Sequence, residues 1–106
     1  MISFDDFAKV EMKVGKILSA TPVEGSEKLV KLMVDVGEES PRQILAGIAK
    51  FYTPDELIDK LVVIAANLEP RIMMGLESQG MLLAADGEKP IPLTVSEVVA
   101  LGAKIR

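Results

Sequence analysis

The sequence predicts an all-β domain with short helices: a five-stranded Greek-key barrel followed by a C-terminal extension. Runs of alternating apolar and polar residues are typical of half-buried strands, and a capping-box sequence separates the third run from the fourth. Gly, Pro and Asp mark turns between the runs. With 106 residues the chain forms one domain. We expect the barrel over residues 10–86 and the extension over residues 87–106.

The N-terminal residues predict a short helical turn that leads into the first strand. Ser3 is a candidate N-cap, with Asp6 three residues later in the capping position. Apolar and charged residues then alternate from Val10, and apolar residues resume after Gly15 as far as Leu18. Because a glycine inside a strand often marks a bulge, we expect a bend at Gly15 that lets this strand serve both halves of the barrel.

Four further strands and one helix complete the predicted barrel. The capping box at residues 53–56, with proline at the first helical position, predicts one or two helical turns. The order is therefore strand, strand, strand, helix, strand, strand, which is the arrangement of the OB-fold. The predicted second to fifth strands are residues 29–36, 43–49, 61–66 and 81–85.

The composition excludes most catalytic chemistry. The chain contains no Cys and no His, so disulfides, thiolate metal sites and imidazole acid–base catalysis are absent. Paired carboxylates occur at residues 5–6 and 38–39, in helix-start and loop contexts where acids are common, and no nucleophile accompanies them. We therefore expect a non-catalytic domain that needs no cofactor or metal.

The hydropathy pattern gives no indication of a membrane segment. The longest apolar run, residues 61–66, is far shorter than the ~20 residues that a membrane-spanning helix needs. The N-terminus carries no basic-then-apolar leader of the secretory type. We expect a cytoplasmic protein without a membrane partner.

Three separated stretches of the chain resemble one known family. Residues 67–81 follow the pattern N-L-x-P-R-x-x-x-G-x-x-S-x-G-M, residues 4–17 are F-D-D-F-A-K-V-E-M-K-V-G-K-I, and residues 43–57 are Q-I-L-A-G-I-A-K-F-Y-T-P-D-E-L. They are similar to the tRNA-binding domain that occurs at the C-terminal end of methionyl-tRNA synthetases and as a free-standing, structure-specific tRNA-binding protein in bacteria. The resemblance covers nearly the whole chain.

The resemblance implies a non-catalytic domain that binds tRNA by its shape. Such a domain serves as the C-terminal domain or beta subunit of a methionyl-tRNA synthetase, or stands alone. The expected partners are tRNA, a methionyl-tRNA synthetase catalytic chain and a second copy of the domain.

The extension carries too many apolar residues for a free tail, so it packs on the barrel or on a second copy. Its Thr94 and Glu97 also have capping-box spacing, and Gly102 could end a helical turn.

The motif at residues 67–81 supplies four candidate RNA-binding residues. Arg71 could form paired hydrogen bonds to phosphate or stack on a base, and the alternative is an ion pair with Glu69 or Glu77. Ser78 could donate to phosphate or ribose, and Met81 could touch a base or sugar, although a methionine that begins a strand is commonly a core residue. For Asn67 we favour bonds to loop backbone over contact with RNA. The four candidates are Asn67, Arg71, Ser78 and Met81.

Four further candidates lie on or beside the second and third strands, the surface that OB-folds commonly offer to oligonucleotides. Together with Arg71 they could form one cationic stripe along a groove. The alternative is that they are scattered, solvated cations. These residues are Lys28, Lys31, Arg42 and Lys50.

The overall charge limits the strength of RNA binding. The net charge is −4, whereas binding through phosphates normally requires a basic surface. Relatives often have lysine in place of Glu69 and Ile72, and losing two phosphate contacts flattens the salt dependence by about two units. Either the domain relies on a fused or associated synthetase, or its cationic face has moved toward the second and third strands. One Tyr and three Phe are too few for strong base stacking. The alternative function is a dimeric, chaperone-like interaction module, which the low isoelectric point suits.

Overall fold

The computed structural model describes residues 1–106 and contains two short helices and nine strands. Five strands form one antiparallel sheet in the order β3-β2-β1-β4-β7, and the other four form two hairpins, β5–β6 and β8–β9. Neither helix is long and apolar enough to cross a bilayer. The elements are α1 (Phe4–Ala8), β1 (Met12–Pro22), β2 (Val30–Asp35), β3 (Arg42–Ala46), α2 (Pro54–Leu57), β4 (Leu61–Ala65), β5 (Arg71–Met73), β6 (Leu76–Ser78), β7 (Met81–Leu82), β8 (Ala84–Asp86) and β9 (Pro90–Pro92).

The long strand β1 serves both halves of the barrel, as predicted. It pairs with β4 through residues 12–16 and with β2 through residues 16–22. The register with β2 shifts between Ile17 and Ser19. Gly15 itself pairs with Val62 of β4 in regular register, so the irregularity of β1 lies a few residues beyond the expected position.

Gly15 is needed for close packing between strands instead. A Cβ atom at this position would lie 2.6 Å from Cγ1 of Val34 and 2.9 Å from Cγ1 of Val36. Glycines in strands often mark such close approaches. The absent side chain lets β1 and β2 pack closely at the point where β1 changes partners.

The barrel closes between β3 and β6 through bonds that combine backbone and side chains. The Leu45 amide donates to the Ser78 hydroxyl at 3.0 Å. The Gln79 amide donates to the Gln43 carbonyl at 2.7 Å, and the Gln43 amide donates to Oε1 of Gln79 at 2.9 Å. The Gln43 side chain donates to the Glu77 carbonyl at 2.8 Å. With α2 between β3 and β4, the predicted five-stranded Greek-key barrel of OB type is confirmed.

The core inside the barrel is aliphatic, as the scarcity of aromatic residues predicts. Alternate residues of β2 face inward, and Leu57 of α2 closes one end of the core with 1% of its surface exposed. Each buried Val, Leu or Ile side chain stabilises the fold by roughly 1.5–3 kcal/mol. The central cluster consists of Ile17, Val30, Leu32, Val34, Val36, Ile44, Ala46, Ile48, Leu57, Val62, Ile64 and Ala66.

Both predicted helix starts are confirmed by their capping bonds. The Ser3 hydroxyl accepts from the Asp6 amide at 3.1 Å, at the start of α1. At α2, a Glu56 carboxylate oxygen accepts from the amide and from the hydroxyl of Thr53, both at 3.0 Å. These bonds hold the pKa of Glu56 below its ordinary value. They fix where α2 begins, and therefore how Leu57 reaches the core.

The segment between the predicted fourth and fifth strands, which carries the motif at residues 67–81, contains a hairpin. Strands β5 and β6 pair through three residues each, and the connection is Met74-Gly75. Both connecting residues have positive φ, 51° and 76°, which matches a primed two-residue turn. Glycine adopts such a φ freely, whereas methionine at this position is unusual. Primed turns favour Asn-Gly or Asp-Gly, so Gly75 fits the preferred turn sequence and Met74 does not.

The end of the C-terminal extension forms backbone hydrogen bonds with β1, and the extension contains no helix. The Gly102 amide donates to the Val14 carbonyl at 2.8 Å, and the Val14 amide donates to the Ala103 carbonyl at 2.9 Å. The helical turn predicted between Thr94 and Gly102 is therefore wrong, because the end of the chain extends alongside β1. Gly102 has φ of +89°, and its backbone contacts the Val36 carbonyl.

The close approach at Gly102 leads to a stability prediction. A Cβ atom there would overlap the Val36 carbonyl oxygen. We expect Gly102→Ala to lower the free energy of unfolding by about 1–3 kcal/mol, since the positive φ adds strain to the clash. Gly47→Ala is the matched control, because a Cβ there meets nothing within 4 Å. Urea denaturation measures both variants, and equal stabilities would contradict a structural need for glycine at position 102.

Candidate nucleic-acid interface

A cleft of about 400 Å³ lies beside β3, and four of the eight candidate residues line it. Its walls come from the β5–β6 hairpin, the start of β7, the turn before β2 and the loops that follow β3 and β4. This surface includes the side of the barrel on which the sequence predicts an oligonucleotide groove. The candidates that line the cleft are Lys28, Arg71, Ser78 and Met81.

Arg71 is exposed and makes no ion pair or side-chain hydrogen bond. It begins β5, where its backbone pairs with Ser78. The internal pairs with Glu69 or Glu77 that were the alternative do not form. Glu69 lines the same cleft, whereas Glu77 lines a neighbouring one. The guanidinium is therefore free to bind an anion.

Of the three candidate lysines, Lys28 lines the cleft, and Lys31 and Lys50 lie on neighbouring segments of the chain. Lys28 is exposed and its ammonium has no partner. Lys31 on β2 lies opposite Leu45 of β3, so the two side chains share a face of the sheet, and Leu45 lines the cleft. Lys50 is exposed and follows Ala49, whose amide donates to the Lys28 carbonyl at 3.0 Å.

Ser78 lines the cleft but uses its hydroxyl inside the protein. The residue is 3% exposed. Its hydroxyl accepts from the Leu45 amide and donates to the Gly80 carbonyl at 2.9 Å. Gly80 has φ of +147°, and a Cβ there would lie 2.9 Å from the Ala65 carbonyl oxygen. The S-x-G part of the motif therefore joins three strand segments at the base of the cleft.

Met81 and Asn67 have different surroundings. Met81 begins β7 and is 49% exposed at the cleft wall, so its side chain is reachable from solvent. Asn67 accepts from the Glu11 amide at 2.8 Å and donates to the Lys9 carbonyl at 2.7 Å. These bonds tie the start of the motif to the segment between α1 and β1, which is the backbone-bonding role favoured for Asn67 from the sequence.

Arg42 is held in a second, acidic cleft. It forms a forked pair with Glu38, with Nε–Oε1 and Nη2–Oε2 distances of 2.8 and 2.9 Å. Its Nη1 also donates to the carbonyls of Ala66 and Gln79. The hydrogen bonds from Arg42 hold the pKa of Glu38 below its ordinary value, and they raise the pKa of Arg42. The structure does not bring Arg42 into the cleft that Arg71 lines.

Several apolar residues of the cleft were not among the sequence candidates. Leu45, Leu68 and Met73 line it together with Leu29. For Leu45 a signal exists, since the consecutive apolar residues Ile44, Leu45 and Ala46 break the alternation expected of a strand with one wet face. Leu68 and Met73 lie in a loop and a short hairpin, where no periodicity marks them. No group of three or more acidic side chains is arranged to hold a metal ion.

A barrel of this topology, with free cations around an apolar cleft beside its second and third strands, defines an OB-fold domain of the oligonucleotide-binding type. A family model described as "Putative tRNA binding domain" matches residues 12–104. The chain belongs to this tRNA-binding domain family.

Individual relatives agree with this assignment. The chain is 49% identical over 105 residues to a methionine–tRNA ligase of Methanocella arvoryzae, a match that covers 99% of this chain and 15% of the relative. A MetRS-related protein from Pyrococcus horikoshii has a TM-score of 0.93 and 39% identity, covering 100% of this chain and 98% of that one. The chaperone CsaA from Bacillus anthracis has a TM-score of 0.90 and 27% identity, covering 100% and 99%. The chain therefore spans a small part of its synthetase relatives and nearly all of these two structures.

The Glu38–Arg42 pair predicts a pH dependence of stability. Because the folded state lowers the pKa of Glu38 from 4.5, the pair stabilises the protein above that pH, and the contribution is lost as pH falls through the lower folded value. The Glu38 side chain is 38% exposed, so solvent screening limits the contribution to at most about 1 kcal/mol. We expect Glu38→Gln to lower stability at pH 7 but to match the unaltered chain near pH 2.

Urea denaturation across pH 2–7 measures this effect. Glu24→Gln is the matched control, because Glu24 is exposed and makes no ion pair. A constant difference between Glu38→Gln and the unaltered chain at all pH values would contradict an ionic contribution from this pair.

Proposed function

We propose that this domain binds folded tRNA through the cleft beside β3, without catalysing a reaction. Lys28 and Arg71 would contact phosphates, while Lys31 and Lys50 extend the positive potential around the cleft. The observation that carries the proposal is the contrast between two arginines in one region. Arg42 is neutralised by Glu38, whereas Arg71 has no acidic partner. In a family of tRNA-binding domains, the unpaired cation is the one available to RNA.

The small number of free cations sets the expected affinity. Two to four phosphate contacts correspond to a slope of log K against log salt of about −2 to −4. A single copy would therefore bind weakly at physiological salt. The net charge of −4 reinforces this, because acids elsewhere on the surface repel phosphates that approach other faces. The domain is suited to supplement the tRNA affinity of a larger assembly.

We propose that the larger assembly is a dimer, a methionyl-tRNA synthetase or both. Helix α1 buries no residue in its own chain, and Phe4 is 80% exposed. Phe4 and Phe7 line an apolar groove of about 210 Å³ together with Ile105 of the extension. A second copy seated on this surface would cover the apolar side chains and present two RNA clefts to one tRNA. Simultaneous contact by both clefts strengthens binding without new chemistry.

Similarity to synthetases supports a role in aminoacylation. We propose that the domain acts in the cytoplasm as an appended domain or a separate subunit that retains tRNA for a methionyl-tRNA synthetase. The domain itself would be non-catalytic, so the ligase reaction would belong to another domain or chain. A chaperone-like activity on the same fold is the competing function, and binding to unfolded polypeptide distinguishes it.

Charge reversal at Arg71 tests the RNA-binding proposal. Loss of one charge-assisted contact corresponds to about 1.5–3 kcal/mol, so we expect Arg71→Glu to weaken tRNA binding roughly 10- to 100-fold at low salt. The slope of log K against log salt should fall by about one unit. Lys60→Glu is the matched control, because this exposed lysine lines a different pocket. Filter binding at several salt concentrations measures both, and equal losses for the two variants would argue for non-specific attraction.

Substitution in α1 tests the dimer. If Phe4 is buried in a symmetric interface, each dimer buries two copies of this side chain. Removing both then lowers the free energy of dimerisation by roughly 1.5–3 kcal/mol per copy. We expect Phe4→Ser to raise the dimer dissociation constant by at least about a hundredfold. Sedimentation equilibrium measures it, with Phe51→Ser as the control at a 45% exposed phenylalanine outside this groove. A chain that is monomeric before any substitution rules the dimer out.

A further inference from the structure

The cleft beside β3 is lined by both apolar and charged residues, and a surface for phosphates alone does not require the apolar ones. Five of its eleven lining residues are hydrophobic. Leucine and methionine side chains give a phosphate no stabilisation, and exposing them to water is unfavourable. The occupant that fits has a flat or apolar part as well as an anionic part.

The charged lining residues favour an anionic occupant. Lys28 and Arg71 line the cleft without acidic partners, and Glu69 is the one acid among the lining residues. The cleft therefore carries an excess of positive charge although the whole chain is at −4. An apolar peptide segment would cover the apolar lining residues but leave both cations unpaired. A nucleotide satisfies the apolar and the cationic parts together.

We propose that the cleft holds one unstacked nucleotide of the tRNA, with its base against Leu68, Met73 and Met81 and its flanking phosphates on Lys28 and Arg71. This inference rests on the proposed function. A volume of about 400 Å³ lies in the range of small-molecule sites and is far too small for a duplex. Folded RNA offers such nucleotides in its loops and at its ends, where bases can be splayed out.

Methionine supplies the contact that aromatic residues provide in other RNA-binding proteins. Its thioether is polarisable and packs favourably against aromatic rings, which include nucleobases. Met81 is 49% exposed, so its side chain can adjust to the ring. Such contacts distinguish poorly between bases. The cleft therefore recognises that a nucleotide is unpaired, and not which nucleotide it is.

Gly47 allows a test that fills the cleft without changing its charge. It lines the cleft, has no positive φ, and a Cβ there would meet nothing within 4 Å. We expect Gly47→Leu to fold normally and to weaken tRNA binding about tenfold, equivalent to about 1.4 kcal/mol, with an unchanged salt slope. Gly87→Leu is the matched control, because Gly87 also lacks a positive φ and lies outside the cleft.

The outcomes separate this inference from the proposed function. If Gly47→Leu and Gly87→Leu bind tRNA equally, the cleft is not occupied and the inference fails, while binding through Arg71 still stands. If the unaltered chain does not bind tRNA at low salt, the proposed function fails, and the inference fails with it.

A second measurement follows the methionine ε-methyl groups by NMR. We expect a single-stranded RNA tetranucleotide to shift the signals of Met73 and Met81, and a blunt RNA duplex of the same sequence to leave them unchanged. Met74 is the internal control, because its methyl group lies beside Gly25 and outside the cleft. Equal shifts with the duplex, or displacement of the tetranucleotide by a reduced and alkylated polypeptide, would overturn the inference.

Discussion

The hydrogen bonds between β3 and β6 hold both the barrel and the candidate interface. Ser78 is the one polar residue that the chain buries, and its hydroxyl is bonded on both sides. Leaving a buried polar group unpaired costs about 1–3 kcal/mol, so the Leu45 amide and the Ser78 hydroxyl stabilise the closed barrel as a pair. Leu45 and Ser78 also line the cleft, so the same hydrogen bond closes the barrel and fixes the shape of the cleft.

An acidic cleft lies beside the cationic cleft, and this arrangement would affect how an RNA is oriented on the candidate interface. Glu38, Glu39 and Glu77 line the cleft that contains Arg42, and Arg42 is paired with Glu38. Phosphates that approach Arg71 are therefore attracted on one side and repelled on the other. Repulsion of this kind contributes to orientation and specificity more than to affinity. In the proposed complex, these acids would restrict the ways in which RNA docks, so an acidic domain could position RNA with few cations.

The sequence predicts what depends on local patterns and misses what depends on distant contacts. Alternation locates β2, and the capping box locates α2, because both signals lie within one element. The conformation of Gly102 depends on the Val36 carbonyl, and the position of Arg42 depends on carbonyls 24 and 37 residues away. The residues of the candidate site show the same difference between local patterns and distant contacts. Arg71 stands out because it is the one cation of the motif at residues 67–81, whereas no pattern indicates that Leu45 and Met73 line the same cleft.

The motif at residues 67–81 combines anchoring residues with the residues that we propose to contact RNA. Asn67 bonds the backbone before β1, and Ser78 bonds β3, so both ends of the motif are fixed before RNA arrives. Arg71 and Met73 lie between these anchors, on a hairpin whose own backbone bonds hold it. Ordering a loop on binding costs affinity, and here that entropy is already lost when the protein folds. With few cations and no aromatic platform, this prior ordering favours the RNA contacts that we propose for the cleft.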